Sequence, residues 1–213
     1  EGSSLEALIM GPLLLGVCGC TRFAASSELS LSCGTDRERG LHLAIGDVFT
    51  VEPTFVDDVN APGAVARLRD IAPDLLVSVG ASQIFSDEVL GVPSRGCLNV
   101  HNGCLPTFRG QYGTFWEKYT GHDRGCVTIH EMTETVDEGR IVRERTVDVS
   151  GSLFAATYRK KVVGGRILAR LLSSGELEPG SMEGDERRSD YWSWPTLSDA
   201  LQFRLRSMAG RST

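Results

Sequence analysis

The sequence predicts an α/β fold, a doubly wound, mostly parallel twisted sheet with helices on both faces. Three observations carry that expectation. The apolar runs LLLGVCG (13–19), DLLVSVG (74–80) and CLNVH (97–101) have the length and composition of strands buried on both faces. Segments with helical periodicity separate such runs, as in Val65, Leu68 and Ile71, or in Phe154, Tyr158, Val162 and Leu168. Strands alternating with helices build a parallel sheet, because each crossover returns the chain to the same edge. With 213 residues, 41% of them hydrophobic, the chain can bury one substantial core, so a single domain over 1–213 is expected.

Taken in order, SLEALIM reads as a short helix and LLLGVCG as the strand after it, followed by a Ser-rich loop over 21–34. Thr35 and Glu38 form a capping box that opens a helix through Ile45. VFTVEP is a short strand. Pro62 to Ile71 is a helix, and DLLVSVG, CLNVH, CVTIHEM (126–132) and RIVRERTVDV (140–149) are strands. GTFWEKYTG is a helix closed by Gly121, and a long helix spans about Ser152 to Leu172. The segment 173–190 has no periodicity and reads as a surface loop, and 191–213 as a tail whose helix is capped by Thr196 and Asp199.

A net charge of −6 disfavours a nucleic-acid or membrane surface, since phosphate binding needs clustered cations. Arg159, Lys160 and Lys161 read as a solvated helix face. The six cysteines (18, 20, 33, 97, 104, 126) have no CxxC pair or zinc spacing and read as buried free thiols in a reducing cytoplasm, Cys104 as packing under a turn. LIMGPLLLGV is too short to span a bilayer and lacks the basic flank of a signal peptide.

NVHNGCLPTFRG (99–110) ends an apolar strand with two polar residues, Asn99 and His101, which share one face because strand side chains alternate. In doubly wound sheets ligands bind beyond the carboxyl ends of strands. Three strand exits are expected to deliver Asn99, His101, Gln83 and Asp137 to one edge. An Asn amide and a protonated His can stabilise an oxyanion growing on an attacked carbonyl, while a nearby carboxylate raises the His pKa and receives a proton. With no Ser or Cys paired to the His, the trio suits direct acyl transfer to an amine. His130 and His122 read as a structural and a surface residue, and no metal is expected.

DLLVSVGASQIF, CLNVHNGCLPTFRG, FWEKYTGHDRGCVTIHEM and VDEG together resemble the formyltransferases that use 10-formyltetrahydrofolate. That family carries Asn-x-His with Leu-Pro-x-x-Arg-Gly behind it, then Gly-x-Thr-x-His and an Asp-x-Gly loop. The resemblance covers residues 64 to 150 well. It implies a Rossmann-like formyltransferase fold and a catalytic set of Asn99, His101 and Asp137. Asn99 and His101 would polarise the formyl carbonyl, and Asp137 would position His101 and help move the amine proton. Ser82, Gln83, Ile84 and Phe85 would line the pterin pocket, closed on its other side by Thr133, Glu134, Thr135 and Val136. Asn102, Gly103 and Arg109 would face the acceptor. The donor cosubstrate is 10-formyltetrahydrofolate, without a metal.

The family also begins with a strand and a glycine-rich turn, and nothing before EGSSLEAL clearly supplies that strand, so the first strand reads as missing or divergent. The loop Asp137-Glu138-Gly139-Arg140 departs from the family's usual Asp-Thr-Gly-Asp. Methionyl-tRNA formyltransferases carry a further C-terminal barrel domain, and with 65 residues after Asp148 a tRNA acceptor is not expected. Asn102-Gly103 and Phe115-Trp116 resemble the sugar N-formyltransferases, whereas QYGT departs from them. The expected acceptor is therefore a small-molecule amine, on an amino-sugar nucleotide or on an amino acid or secondary metabolite. A homodimer is left open. The rival readings are a folate-binding module without turnover and a 10-formyltetrahydrofolate hydrolase.

Overall fold

The computed structural model describes residues 7–10, 30–32, 53–81, 83–175 and 189–209. Its strands are β1 (Ala7–Met10), β2 (Ser30–Ser32), β3 (Pro53–Phe55), β4 (Leu75–Ser78), β5 (Cys97–His101), β6 (Arg109–Gly110), β7 (Arg124–Glu131), β8 (Ile141–Asp148) and β9 (Tyr191–Trp192). Its helices are α1 (Pro62–Ile71), α2 (Asp87–Leu90), α3 (Gly113–Tyr119), α4 (Leu153–Ser174) and α5 (Leu197–Ala209). The main sheet has the order β1-β4-β5-β7-β8. The β1/β4 and β4/β5 pairs are parallel, as are the small β2/β3 and β6/β9 pairs. β7 and β8 extend the main sheet antiparallel to their neighbours. The loop 132–140 between them is too short for a parallel crossover, which needs a dozen or more residues.

Strand alternation divides the core in two. Leu75, Val77, Leu98, Val100, Val127 and Ile129 pack against Leu168 and Leu171 of α4. On the opposite face Leu76 and Cys97 meet Val65 and Leu68 of α1, Val89 of α2 and Phe85. The sheet is thus covered on both sides, as the continuous apolar strands require. A third cluster of Phe108, Phe115 and Trp116 draws in Trp192 and Phe203, so the tail is packed against α3. β6 and β9 pair within this cluster, and the Leu105–Pro106 peptide preceding it is cis.

α1 and β5 have the expected bounds. Ser152 caps α4 by accepting from the Ala155 amide at 3.1 Å, and Thr196 and Asp199 cap α5 reciprocally. Other expectations are corrected. Ala7–Met10, within the segment read as a helix, is a strand parallel to β4, so sheet pairing overrides local helix propensity there. On α4 the expected apolar stripe starts on the wrong face: Phe154 is 75% exposed and Tyr158 51%. The buried stripe is Ala156, Lys160, Gly164, Leu168 and Leu171, and Lys160, read as solvated, is fully buried. Cys104 and Cys126 are joined in a disulfide rather than being free thiols. Cys97 is free and buried, and burial pushes its thiol pKa up to about 12. The strand 13–19, the capping box at Thr35 and Glu38, nearly all of VFTVEP, and 176–188 of the surface loop lie outside the described residues. Among the described residues no helix is long and apolar enough to cross a membrane.

Candidate active site

Asn99 and His101 stand on the same face of β5, opposite the one that Leu98 and Val100 turn to α4. The antiparallel register sets His130 directly opposite Asn99 and Thr128 opposite His101. Because β7 runs against β5, its carboxyl end lies beside the start of β5, which corrects the expectation of three exits at one edge. Asp137 reaches the pair because the loop after β7 folds back. Its backbone has φ 56°, a left-handed conformation that Asp tolerates better than most residues. Arg109 holds this loop through the Val136 carbonyl, with Nε at 3.1 Å and Nη2 at 2.9 Å, and through Glu138. The Arg-Gly pair after the His loop thereby fixes the Asp loop, and Glu138 has a structural partner where the sequence left its role open.

The Asp137 carboxylate joins the whole cluster. Oδ2 accepts from the Gly110 amide at 2.8 Å and lies 3.5 Å from His101 Nδ1. Oδ1 lies 3.3 Å from His130 Nε2 and accepts from Asn99 Nδ2 at 3.4 Å. Asn99 Nδ2 is also 3.2 Å from His130 Nε2. His130, read as structural, is therefore inside the site. The signal that could have found it is cross-strand pairing of the Gly-x-Thr-x-His strand with the Asn-x-His strand, which needs a register the sequence does not state.

Burial pushes the Asp137 carboxyl pKa up. The His130 hydrogen bond, the His101 charge and the Gly110 amide together outweigh that and hold it at about 2. His101 moves the opposite way from the expectation. Burial pushes its pKa below 6.5, and this outweighs the upward pull of Asp137, with His130 and Lys160 adding to the downward shift. This shift favours the neutral imidazole at neutral pH. Its Nε2 lies 2.7 Å from the Phe108 carbonyl, an acceptor, so the hydrogen is assigned there and Nδ1 faces Asp137 unprotonated. His130 Nδ1 lies 2.7 Å from the Glu131 carbonyl, on the side of the ring away from Asp137.

The other expected site residues are placed unevenly. Thr133, Glu134 and Thr135 line a cavity of about 480 Å³ with Asp87, Leu90 and Met132. Phe85 is buried in the core beside Val89 and Met132, and Ile84 is 70% exposed. Gln83 spends its amide on the Val59 amide and the Asp57 carbonyl, and Ser82 lies outside the described residues. Arg109 is engaged within the chain, as described. The Asn102 carbonyl accepts from Lys160 and Thr114, while its buried Oδ1 has no hydrogen-bond partner among the described residues.

A sequence model of the family described as formyl transferase matches residues 48–164. Among solved structures, the chain is similar to the formyltransferase PseJ from Anoxybacillus kamchatkensis, in complex with UDP-4,6-dideoxy-4-formamido-L-AltNAc and tetrahydrofolate. The identity is 19% over 84% of this chain and 90% of that one, with a TM-score of 0.58. Glycinamide ribonucleotide transformylase 1 from Symbiobacterium toebii is 21% identical over 68% of this chain and 71% of its own, with a TM-score of 0.58. The methionyl-tRNA formyltransferase from Clostridium thermocellum is 14% identical over 83% and 80%, with a TM-score of 0.59.

Proposed function

Because this chain belongs to the formyl transferase family, we propose that it moves the formyl group of 10-formyltetrahydrofolate onto a primary amine of a small molecule, with an amino-sugar nucleotide as the first acceptor to test. The observation that carries the reading is the cluster of Asn99, His101 and Asp137 on one sheet face, linked through Asp137 within 3.5 Å. In this reading the donor's flat heterocycle lies against Thr133, Glu134 and Thr135, which line an open hollow with Asp87, Leu90 and Met132, and the donor supplies an electrophilic formyl carbon. Asn99 turns one amide N–H from its partners Asp137 and His130 toward the negative charge that develops on the formyl oxygen. His101 Nδ1, unprotonated, takes the proton that the amine loses on attack, the ionised Asp137 stabilises the imidazolium so formed, and that proton passes to N10 as the formyl C–N10 bond breaks and tetrahydrofolate leaves. This reverses the role read from sequence, in which His101 entered as a charged donor.

The sugar acceptor is supported by Asn102-Gly103 and Phe115-Trp116. An amino-acid or secondary-metabolite amine is the alternative. A place in biosynthesis, a cytoplasmic setting, small-molecule partners without nucleic acid, and a homodimer belong to the same proposal. The Cys104–Cys126 bond removes the argument for the cytoplasm from free thiols. The test is donor turnover with a panel of amines, following tetrahydrofolate release. Amine-dependent release supports transfer and identifies the acceptor class. Release without any amine would make the protein a hydrolase, and folate binding without release a binding module.

A further inference from the structure

We propose that the buried ion pair between Glu117 of α3 and Lys160 of α4 is a positioning device for His101, acting through the turn that follows it. The proposal rests on the formyl-transfer reading of the Asn99, His101 and Asp137 cluster. Both side chains are fully buried. Lys160 Nζ contacts Glu117 Oε2 and donates to the Asn102 carbonyl at 3.1 Å. Glu117 Oε1 accepts the amides of Cys104 and Cys126, each at 3.1 Å, and these two residues are joined by the disulfide. The turn 102–104 is thus held at the carbonyl of its first residue and at the amide of its last.

Between those anchors the Gly103 carbonyl accepts from Thr128 Oγ1 at 2.7 Å. A Cβ on Gly103 would stand 2.7 Å from His101 Nε2 and 2.9 Å from the Phe108 carbonyl that Nε2 bonds. A displaced turn would therefore push directly on the imidazole or on its hydrogen bond. Position 125 is also a glycine, and a Cβ there would run into the Glu117 carboxylate. The strand beside the pair is shaped to receive it.

Packing alone does not call for this pair. Burying two charges costs more than burying apolar groups of the same size, and the neighbours of Lys160 on the buried stripe of α4 are Ala156, Gly164 and Leu168. An apolar pair could fill the space but could not bond one carbonyl and two amides around the residue after His101. Lys160 also brings a cation close enough to oppose protonation of the imidazole, alongside His130 and against Asp137.

The experiment compares wild type with E117Q/K160M, which removes both charges, keeps side chains of similar length and leaves an amide oxygen facing the two cysteine amides. The expected result is a cooperatively folded protein with kcat lowered about 10- to 100-fold, KM for 10-formyltetrahydrofolate within about twofold, and the imidazole ¹⁵N resonances of His101 displaced. A folded double variant with wild-type kcat and unmoved His101 resonances would overturn the proposal. Hydrogen exchange on the wild type tests it without any variant. The Cys104 amide is expected to exchange as slowly as those of Val127 and Ile129 inside β7, and exchange at the rate of an exposed turn would overturn the proposal. Neither the resonances nor the exchange depends on turnover. A wild type that transfers no formyl group refutes the reaction, while displaced resonances and slow exchange still support the positioning role.

Discussion

Replacing Asp137 by Asn removes the charge at the centre of the cluster but keeps the side-chain shape and a residue that tolerates the φ of 56°. The carboxyl is held at about 2 against an ordinary 3.8, and it is only 7% exposed, so solvent screens it little. At about 1.4 kcal/mol per pKa unit, this depression corresponds to about 2 kcal/mol of folded-state stability. A depressed carboxyl stabilises the fold where the unfolded group is already ionised. The contribution is therefore complete above about pH 4 and is lost as the pH falls from 3.8 toward 2. Urea unfolding of D137N is expected to show a deficit of up to about 2 kcal/mol above pH 4 that shrinks through this acid window. The ¹³C resonance of the wild-type carboxyl should titrate with a midpoint near 2. A deficit indifferent to pH, or a midpoint at the ordinary 3.8, would refute the reasoning and remove the case for Asp137 as a preformed anion.

Four further outcomes are expected. Since burial pushes His101 below 6.5 and the neutral ring is the base, the acid limb of kcat should have its midpoint below 6.5; D137N should move it lower still, and a wild-type midpoint above 6.5 would contradict both statements. N99A should lose about 10²–10³ in kcat with donor affinity changed far less, measured by steady-state kinetics and calorimetry. R109A frees the Val136 carbonyl and Glu138, so kcat should fall by more than the donor KM rises; a change in KM alone would make Arg109 a binding residue. C104A/C126A opens a link between residues 22 apart in sequence and should cost about 3 kcal/mol in urea unfolding.

The elements that could be read from the sequence are those whose burial is complete from within their own segment. β5 and α1 have the expected ends because an apolar run bounded by turn residues, and a Pro at the first helical position, do not depend on what packs against them. Asn99 and His101 share a face for the same reason, since a period of two is a property of the strand itself. Asp137 is marked in the sequence by its place after the β7 run and by its motif. That it reaches His101 depends on the loop folding back under the Arg109 clamp, which spacing along the chain does not contain.

What local sequence could not decide was which of two stripes on α4 would be buried. Phe154 and Tyr158 make the more apolar stripe, yet Gly164 is what lets the helix come close to Val100 and Val127, where an added Cβ would meet them at 3.0 and 3.2 Å. That approach turns Lys160 inward, and its burial is tolerable only because Glu117, on a different helix, meets it. His130 opposite Asn99 and Cys104 bonded to Cys126 likewise depend on contacts between separate segments of the chain. Periodicity and motif report what a segment prefers by itself. Charge burial, cross-strand register and the direction of the His101 pKa are properties of pairs, and a pair exists only once the fold has brought its members together.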